Sequence, residues 1–172
     1  MEFDELYEAH FQRIYQYIYY MVSDTSLAED LTQETFLRVY KGRFRQEAAM
    51  STYIRQIARN IVYDHYRKKA LIKWLPFQKK HEGTADQYVP HDWLVQSEDR
   101  RLLYEALQSL KTEHREVLIY RKIEELSIEE TCGILGWSAM KVANTQRSAM
   151  KALEKRLGGD EYGFTQSFKR TK

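Results

Sequence analysis

Lys141, Asn144, Ser148, Lys151 and Lys155 follow one another at intervals of three, four, three and four residues, and Arg147 lies beside them. On an α-helix that spacing gathers them on one face, while Val142, Gln146, Ala149 and Leu153 point back. Amide and guanidinium groups can make paired hydrogen bonds to base edges in a major groove. Lysine and serine can anchor to phosphates.

A helix that reads DNA must be held by a second one. Ser127-Ile128-Glu129-Glu130 has the pattern of a capping box, in which the serine hydroxyl and the Glu130 carboxylate each satisfy an orphan backbone N–H. Ile128, Cys132 and Leu135 are expected to form the apolar stripe of the helix that follows. Gly136 supplies a residue tolerant of positive φ to end it, Trp137 can plug the space between two helices, and Ser138 can cap the next. A short helix, a tight turn with glycine and a longer helix make a helix-turn-helix that reads duplex DNA. The bland alternative is a helical hairpin that binds only protein.

A second set of residues suits unpaired nucleic acid. Thr52, Arg55, Arg59, Tyr63 and Tyr66 are spaced by three, four, four and three residues, so basic and aromatic side chains interleave on what the pattern predicts to be an exposed strip. Rings stack on unpaired bases while arginines neutralise phosphates. Charge sorts along the chain in the same sense, although the net charge is only +2. Residues 1–34 hold eight acids and one base; residues 38–73 hold ten bases against Glu47 and Asp64. A polyanion finds its footprint in the second stretch. A solvated basic helix face, with tyrosines flanking a core, is the competing reading.

The elements that carry these residues are predicted to be helices, because only seven Gly and two Pro interrupt 172 residues and no strand pattern stands out. Phe3, Tyr7, His10, Ile14, Tyr17, Ile18 and Met21 mark the core stripe of a first helix. A second helix is expected to begin at a Ser26–Glu29 capping box and to run to about Lys41. Ser51 or Thr52 can cap a third, with Ile54, Ile57, Ala58, Ile61 and Val62 inward. From Leu75 to Gln96 both prolines, Pro76 and Pro90, join Gly83 in a linker without period. Trp74 at its edge and Phe77, Tyr88 and Trp93 within it are apolar enough to dock on something. A second helical block starts near Ser97 and restarts at Thr112. The expected organisation is all-α: a helical domain over 1–73, a linker over 74–96, a four-helix domain over 97–157 and a polar tail over 158–172.

Enzymatic readings find no support. There is no Gly-rich phosphate loop, the single Cys132 has no partner for zinc or a disulfide, and none of His10, His65, His81, His91 or His114 follows a glutamate at the di-iron spacing. No catalytic residue, cofactor or metal is expected. The chain shows no signal-peptide pattern and its apolar runs are short, so a cytoplasmic protein is expected.

Three segments resemble the extracytoplasmic-function group of bacterial RNA polymerase sigma factors, over roughly residues 1–157. AEDLTQETFLRVYK (28–41) looks like the family's helix that docks on the coiled clamp of the polymerase largest subunit. The resemblance implies core-polymerase contacts at Asp30, Gln33, Glu34, Leu37 and Lys41, which helical spacing places on one face. FRQEAAMSTYIRQIARNIVYDHYRKK (44–69) is similar to the promoter-melting segment, where a loop captures a flipped base of the −10 element. The implied loop runs from Arg45 to Met50, and Thr52, Tyr53, Arg55, Arg59 and Asn60 are the implied helix residues, with Tyr63 and Arg67 further along the basic strip. Tyr53 stands where the family usually has Trp, and Met50 where it usually has Phe, so stacking is kept at the first and lost at the second.

SIEETCGILGWSAMKVANTQRSAMKAL (127–153) resembles the module that reads the −35 element. Asn144 and Arg147 match positions that contact DNA in the family; Ser138, Lys141, Ser148 and Lys151 flank them. Ala143, Thr145 and Ser148 stand where Lys or Arg are common, which implies fewer phosphate anchors and weaker free binding. The resemblance implies a sigma factor that lends core RNA polymerase its promoter specificity, restrained by an anti-sigma factor. A stand-alone helix-turn-helix regulator that binds duplex DNA without polymerase is the alternative.

Overall fold

A computed structural model describes residues 2–42, 50–74 and 98–158. All regular structure among them is helical: α1 (Phe3–Val22), α2 (Thr25–Lys41), α3 (Met50–Trp74), α4 (Glu98–Gln108), α5 (Thr112–Leu118) running into a π-helical turn (Ile119–Ile123), α6 (Ile128–Leu135) and α7 (Ala139–Arg156). The chain divides into two compact units, Met1–Tyr88 and Val89–Lys172. Among the described residues no helix is long and apolar enough to cross a membrane. The segment 75–96, including Phe77, Tyr88 and Trp93, lies outside the described residues.

In the first unit α1, α2 and α3 pack pairwise into a three-helix bundle. Ile14, Tyr17, Ile18 and Met21 of α1 meet Ala28, Phe36 and Val39 of α2 and Ile54, Ala58, Ile61 and Val62 of α3, all buried. Thr32 and Thr35 are buried too, and their hydroxyls return to Ala28 O (2.6 Å) and Leu31 O (2.8 Å), so neither hydroxyl is stranded. Phe3 and Tyr7 are only half-buried. They begin a second α1 stripe, Phe3, Tyr7, Phe11, Tyr15 and Tyr19, whose successive rings lie 4.9–6.3 Å apart. It stitches α1 to α2 through Tyr7–Phe36 (4.8 Å) and Phe3–Tyr40 (5.0 Å).

The expected cap of α2 is corrected. Ser26 lies inside the helix, and Asp24 is the cap, accepting from Leu27 N at 3.0 Å. Ser23, in left-handed conformation with φ 57°, ends α1 and turns the chain so that Asp24 arrives extended at the next helix. Ser51 and Thr52 likewise stand within α3, which already includes Met50.

In the second unit α7 packs against α4, α5 and α6. Leu107, Val117, Leu118, Ile119, Tyr120, Val142, Ala149 and Leu153 form the core. Arg115 closes the end of α4: its guanidinium donates to the carbonyls of Leu107 (3.0 Å), Gln108 (3.1 Å) and Leu110 (3.2 Å). A cation is thereby placed against carbonyls at and just beyond the C-terminal end of the helix, where its charge is favourable. The expected stripe of α6 is rotated. Thr131, Ile134 and Leu135 are buried, whereas Ile128 and Cys132 are half-buried.

Candidate nucleic-acid interface

Four residues build the turn that presents α7. Ser127 Oγ accepts from Glu130 N at 3.0 Å, and Glu130 Oε2 accepts from Ser127 N at 2.8 Å, a complete capping box. Gly136 takes φ 68° and donates its N–H to Cys132 O at 2.8 Å, ending α6 where any side chain would be strained. Ser138 Oγ then accepts from Lys141 N at 3.2 Å and starts α7. Its O–H proton remains able to donate outward.

Along α7, Lys141, Asn144, Arg147, Ser148, Lys151 and Lys155 are exposed, while Val142, Ala149 and Leu153 are buried. Asn144 Oδ1 accepts from Arg147 Nη1 at 3.3 Å, so the amide and the guanidinium are held together on the face. Lys141 Nζ lies 4.0 Å from the centroid of the Trp137 ring. Trp137, expected to plug the space between two helices, is half-buried and offers its ring to Lys141. Gln146 faces back and accepts from Arg121 Nε at 3.0 Å. Arg121 and Lys122 border an open groove of about 490 Å³ beside Arg147 and Lys151. Sequence reasoning missed this basic pair, whose signal was a Tyr-Arg-Lys run before the turn.

The α3 strip is less uniform than its spacing predicted. Arg55 is only 2% exposed and cannot lie on an open strip. Its Nη1 donates to Ser51 O at 3.3 Å and to Ser51 Oγ, which ties the first turn of α3 together. Tyr66 also departs, because its hydroxyl donates to Met21 O and fastens α3 to the end of α1. Thr52, Arg59 and Tyr63 are half-buried; Asn60 and Arg67 are exposed. The Arg59 guanidinium sits 4.5 Å over the Tyr63 ring, and Arg67 pairs with Asp64. The Tyr53 hydroxyl approaches Gly42 so closely that a Cβ there would lie 2.6 Å from it. Arg45 and the rest of the expected loop before Met50 lie outside the described residues.

On α2, Asp30, Gln33, Leu37 and Lys41 are exposed, and half-buried Glu34 pairs with Arg38. Leu37 is 51% exposed and Tyr40, which sequence reasoning passed over, is 67% exposed. Tyr40 continues the row from Gln33 and Leu37 at spacings of four and three, and that spacing was its signal. Two histidines lie near the basic helix. Burial, then Arg55 and Arg13, lowers the His10 pKa. Burial also lowers that of His65, with Lys69 and Lys68 acting in the same sense and Asp24 against them. Among the described residues no cluster of His, Cys, Asp or Glu could hold a metal.

The family model of sigma-70 region 2 matches residues 6–72, and that of sigma-70 region 4 matches residues 100–153. An ECF RNA polymerase sigma factor of Bacillus subtilis, SigX, is 34% identical over 90% of this chain and 83% of its own length. The chain belongs to the extracytoplasmic-function sigma factors. A second B. subtilis relative, the RNA polymerase sigma factor YlaC, is 31% identical over 90% of this sigma factor and 91% of its own length. The fold matches that of the sigma factor RpoE from Bartonella quintana, solved with the anti-sigma factor NepR. The TM-score is 0.76 at 19% identity, covering 92% of this chain and 98% of that one. CnrH, solved with the cytosolic domain of CnrY, gives a TM-score of 0.64 at 21% identity, covering 92% of this chain and 89% of that one.

Proposed function

We propose that this sigma factor docks on the clamp of core RNA polymerase through the exposed face of α2, opens the −10 element with α3 and the residues before it, and reads the −35 element with α7. The observation that carries the reading is the conjunction of a capped helix-turn-helix, whose outward face holds Lys141, Asn144, Arg147, Ser148 and Lys151, with an exposed Leu37–Tyr40 row on α2 that duplex binding does not need. Asp30, Gln33, Glu34, Leu37 and Lys41 contact polymerase. Arg45, Thr52, Tyr53, Arg59, Asn60, Tyr63 and Arg67 serve the melted strand, with Arg55 holding the start of α3 from inside. The protein supplies sequence specificity to an enzyme it does not itself contain, and it works in the bacterial cytoplasm where polymerase and DNA are.

Flipping a base costs a few kcal/mol, so opening requires polymerase to hold both grips on one promoter. Control by an anti-sigma factor belongs to the same reading and is supported by the fold relative RpoE, solved with the anti-sigma factor NepR. The test mixes the purified chain with core polymerase and genomic DNA fragments. Discrete transcripts starting at a common promoter pattern are expected. A chain that neither co-elutes with core nor yields transcripts sinks the reading and leaves a stand-alone DNA-binding module.

A further inference from the structure

Lys141 occupies the third position of α7, where its charge is misplaced. The N-terminal turn of a helix carries partial positive charge and favours anions, yet α7 has no acidic residue in its first turn to offset the ammonium. The offset comes from outside the helix. Gly136, at φ 68°, reverses the chain and Ser138 caps α7, so Trp137 between them is placed under the first helical turn. Its ring centroid lies 4.0 Å from Lys141 Nζ, a cation–π distance. Trp137 is half-buried and Lys141 exposed, so one side of the ammonium meets the π-face and the other meets solvent.

We infer that Trp137 is a positioning residue for DNA binding: its ring fixes the Lys141 ammonium at the N-terminal end of α7, where cation and helix terminus together meet one DNA phosphate. A lysine on a free stem samples many rotamers and must surrender them on binding. Held against the ring, Lys141 has already done so, and its outward N–H donors stay available. The device matters in this chain because Ala143, Thr145 and Ser148 offer no charge on the same helix, whose cations are Lys141, Arg147, Lys151, Lys155 and Arg156 and of which Lys141 alone stands in the first turn. The inference rests on the reading of α7 as the DNA-binding helix.

The test measures binding of the full chain to a labelled promoter duplex recovered from the holoenzyme transcription experiment, by anisotropy over a range of salt. Trp137→Leu is expected to weaken binding about two- to fivefold, the loss of an exposed cation–π contact, and Trp137→Phe to restore most of it. Trp137→Met serves as a second apolar replacement if the leucine variant does not fold. In a Lys141→Ala background Trp137→Leu is expected to add nothing, and the salt slope to fall by about one. An equal loss in both backgrounds, or unchanged or tighter binding by Trp137→Leu, overturns the inference. Lys151→Ala separates the failures. If it weakens binding while Lys141→Ala does not, only the role of Trp137 falls; if neither does, the reading of α7 falls with it.

Discussion

Arg121 Nε donates to Gln146 Oε1 across 3.0 Å, joining the π-helical turn to the inward side of α7, and the same guanidinium donates to Leu126 O. The wide turn makes this reach possible. Glu124 N bonds back to Ile119 O at 2.8 Å, five residues away, and the extra residue in the turn rotates Arg121 toward α7. Arg121 thus ties the helix that carries Asn144 and Arg147 to the π-helical turn and to the residue before the capping box.

Arg121→Ala is therefore expected to destabilise the second unit by about 1.5–3 kcal/mol, the range for hydrogen bonds to a charged donor. Hydrogen exchange at the α7 amides reads it. Arg121→Lys recovers little, because a compact ammonium cannot span Gln146 and Leu126 as the planar fork does. Unchanged exchange in both variants would show that apolar packing alone holds α7.

The histidines make the first unit sensitive to acid. His10 and His65 have folded pKa values below the ordinary 6.5, so at mildly acidic pH the unfolded chain binds more protons than the folded one. Their contribution is intact above about pH 6.5 and is lost as pH falls through the lowered values. Thermal melts of the full chain between pH 8 and 5 are expected to show the first unit weakening as pH falls. A His10→Gln, His65→Gln double variant should flatten that slope. The sense follows first from burial of both imidazoles, to which Arg55 and Arg13 add at His10 and Lys69 and Lys68 at His65, with Asp24 opposing only at His65.

Leu37 and Tyr40 stand half or more in solvent, so replacing them costs the fold little. Leu37→Glu is expected to leave the melting temperature unchanged and to weaken association with core polymerase about tenfold or more, as an apolar anchor at an interface centre does. Tyr40→Ala is expected to act in the same sense, with some loss of stability from its 5.0 Å ring contact with Phe3. Normal co-elution with core by both variants would place the docking surface elsewhere.

What was legible in the sequence was mostly local. The Ser127–Glu130 box and the Gly136 turn depend on residues within a few positions of one another, and spacing alone identifies them. The same local pattern misled at Ser26–Glu29, because the left-handed Ser23 upstream decided the entry of the chain and gave the cap to Asp24. Helical spacing placed Arg55 and Tyr66 on an exposed strip. Yet Arg55 lies on the seam beside Ile54 and Ala58, and Tyr66 finds Met21 O across 45 residues of sequence. Periodicity gives an approximate face of a helix; it does not say which neighbour will cover the edge of that face.

The Tyr53 hydroxyl, on α3, lies against Gly42 at the end of α2. Gly42 has an ordinary φ of −75°, so its backbone does not require glycine; the Tyr53 hydroxyl does, since an added Cβ would lie 2.6 Å from it and 3.2 Å from Arg38 O. Gly42→Ala must push Tyr53 aside, at about 1–3 kcal/mol of overpacking. Tyr53 is proposed to serve the melted strand, so Gly42→Ala is expected to slow promoter opening by holoenzyme while leaving association with core intact. Removing the obstructing atom should relieve this: Gly42→Ala with Tyr53→Phe is expected to open promoters faster than Gly42→Ala alone. Permanganate reactivity of unpaired thymines measures opening directly. Equal defects in the single and double variants would mean that the alanine acts through Arg38 and the end of α2, not through the tyrosine.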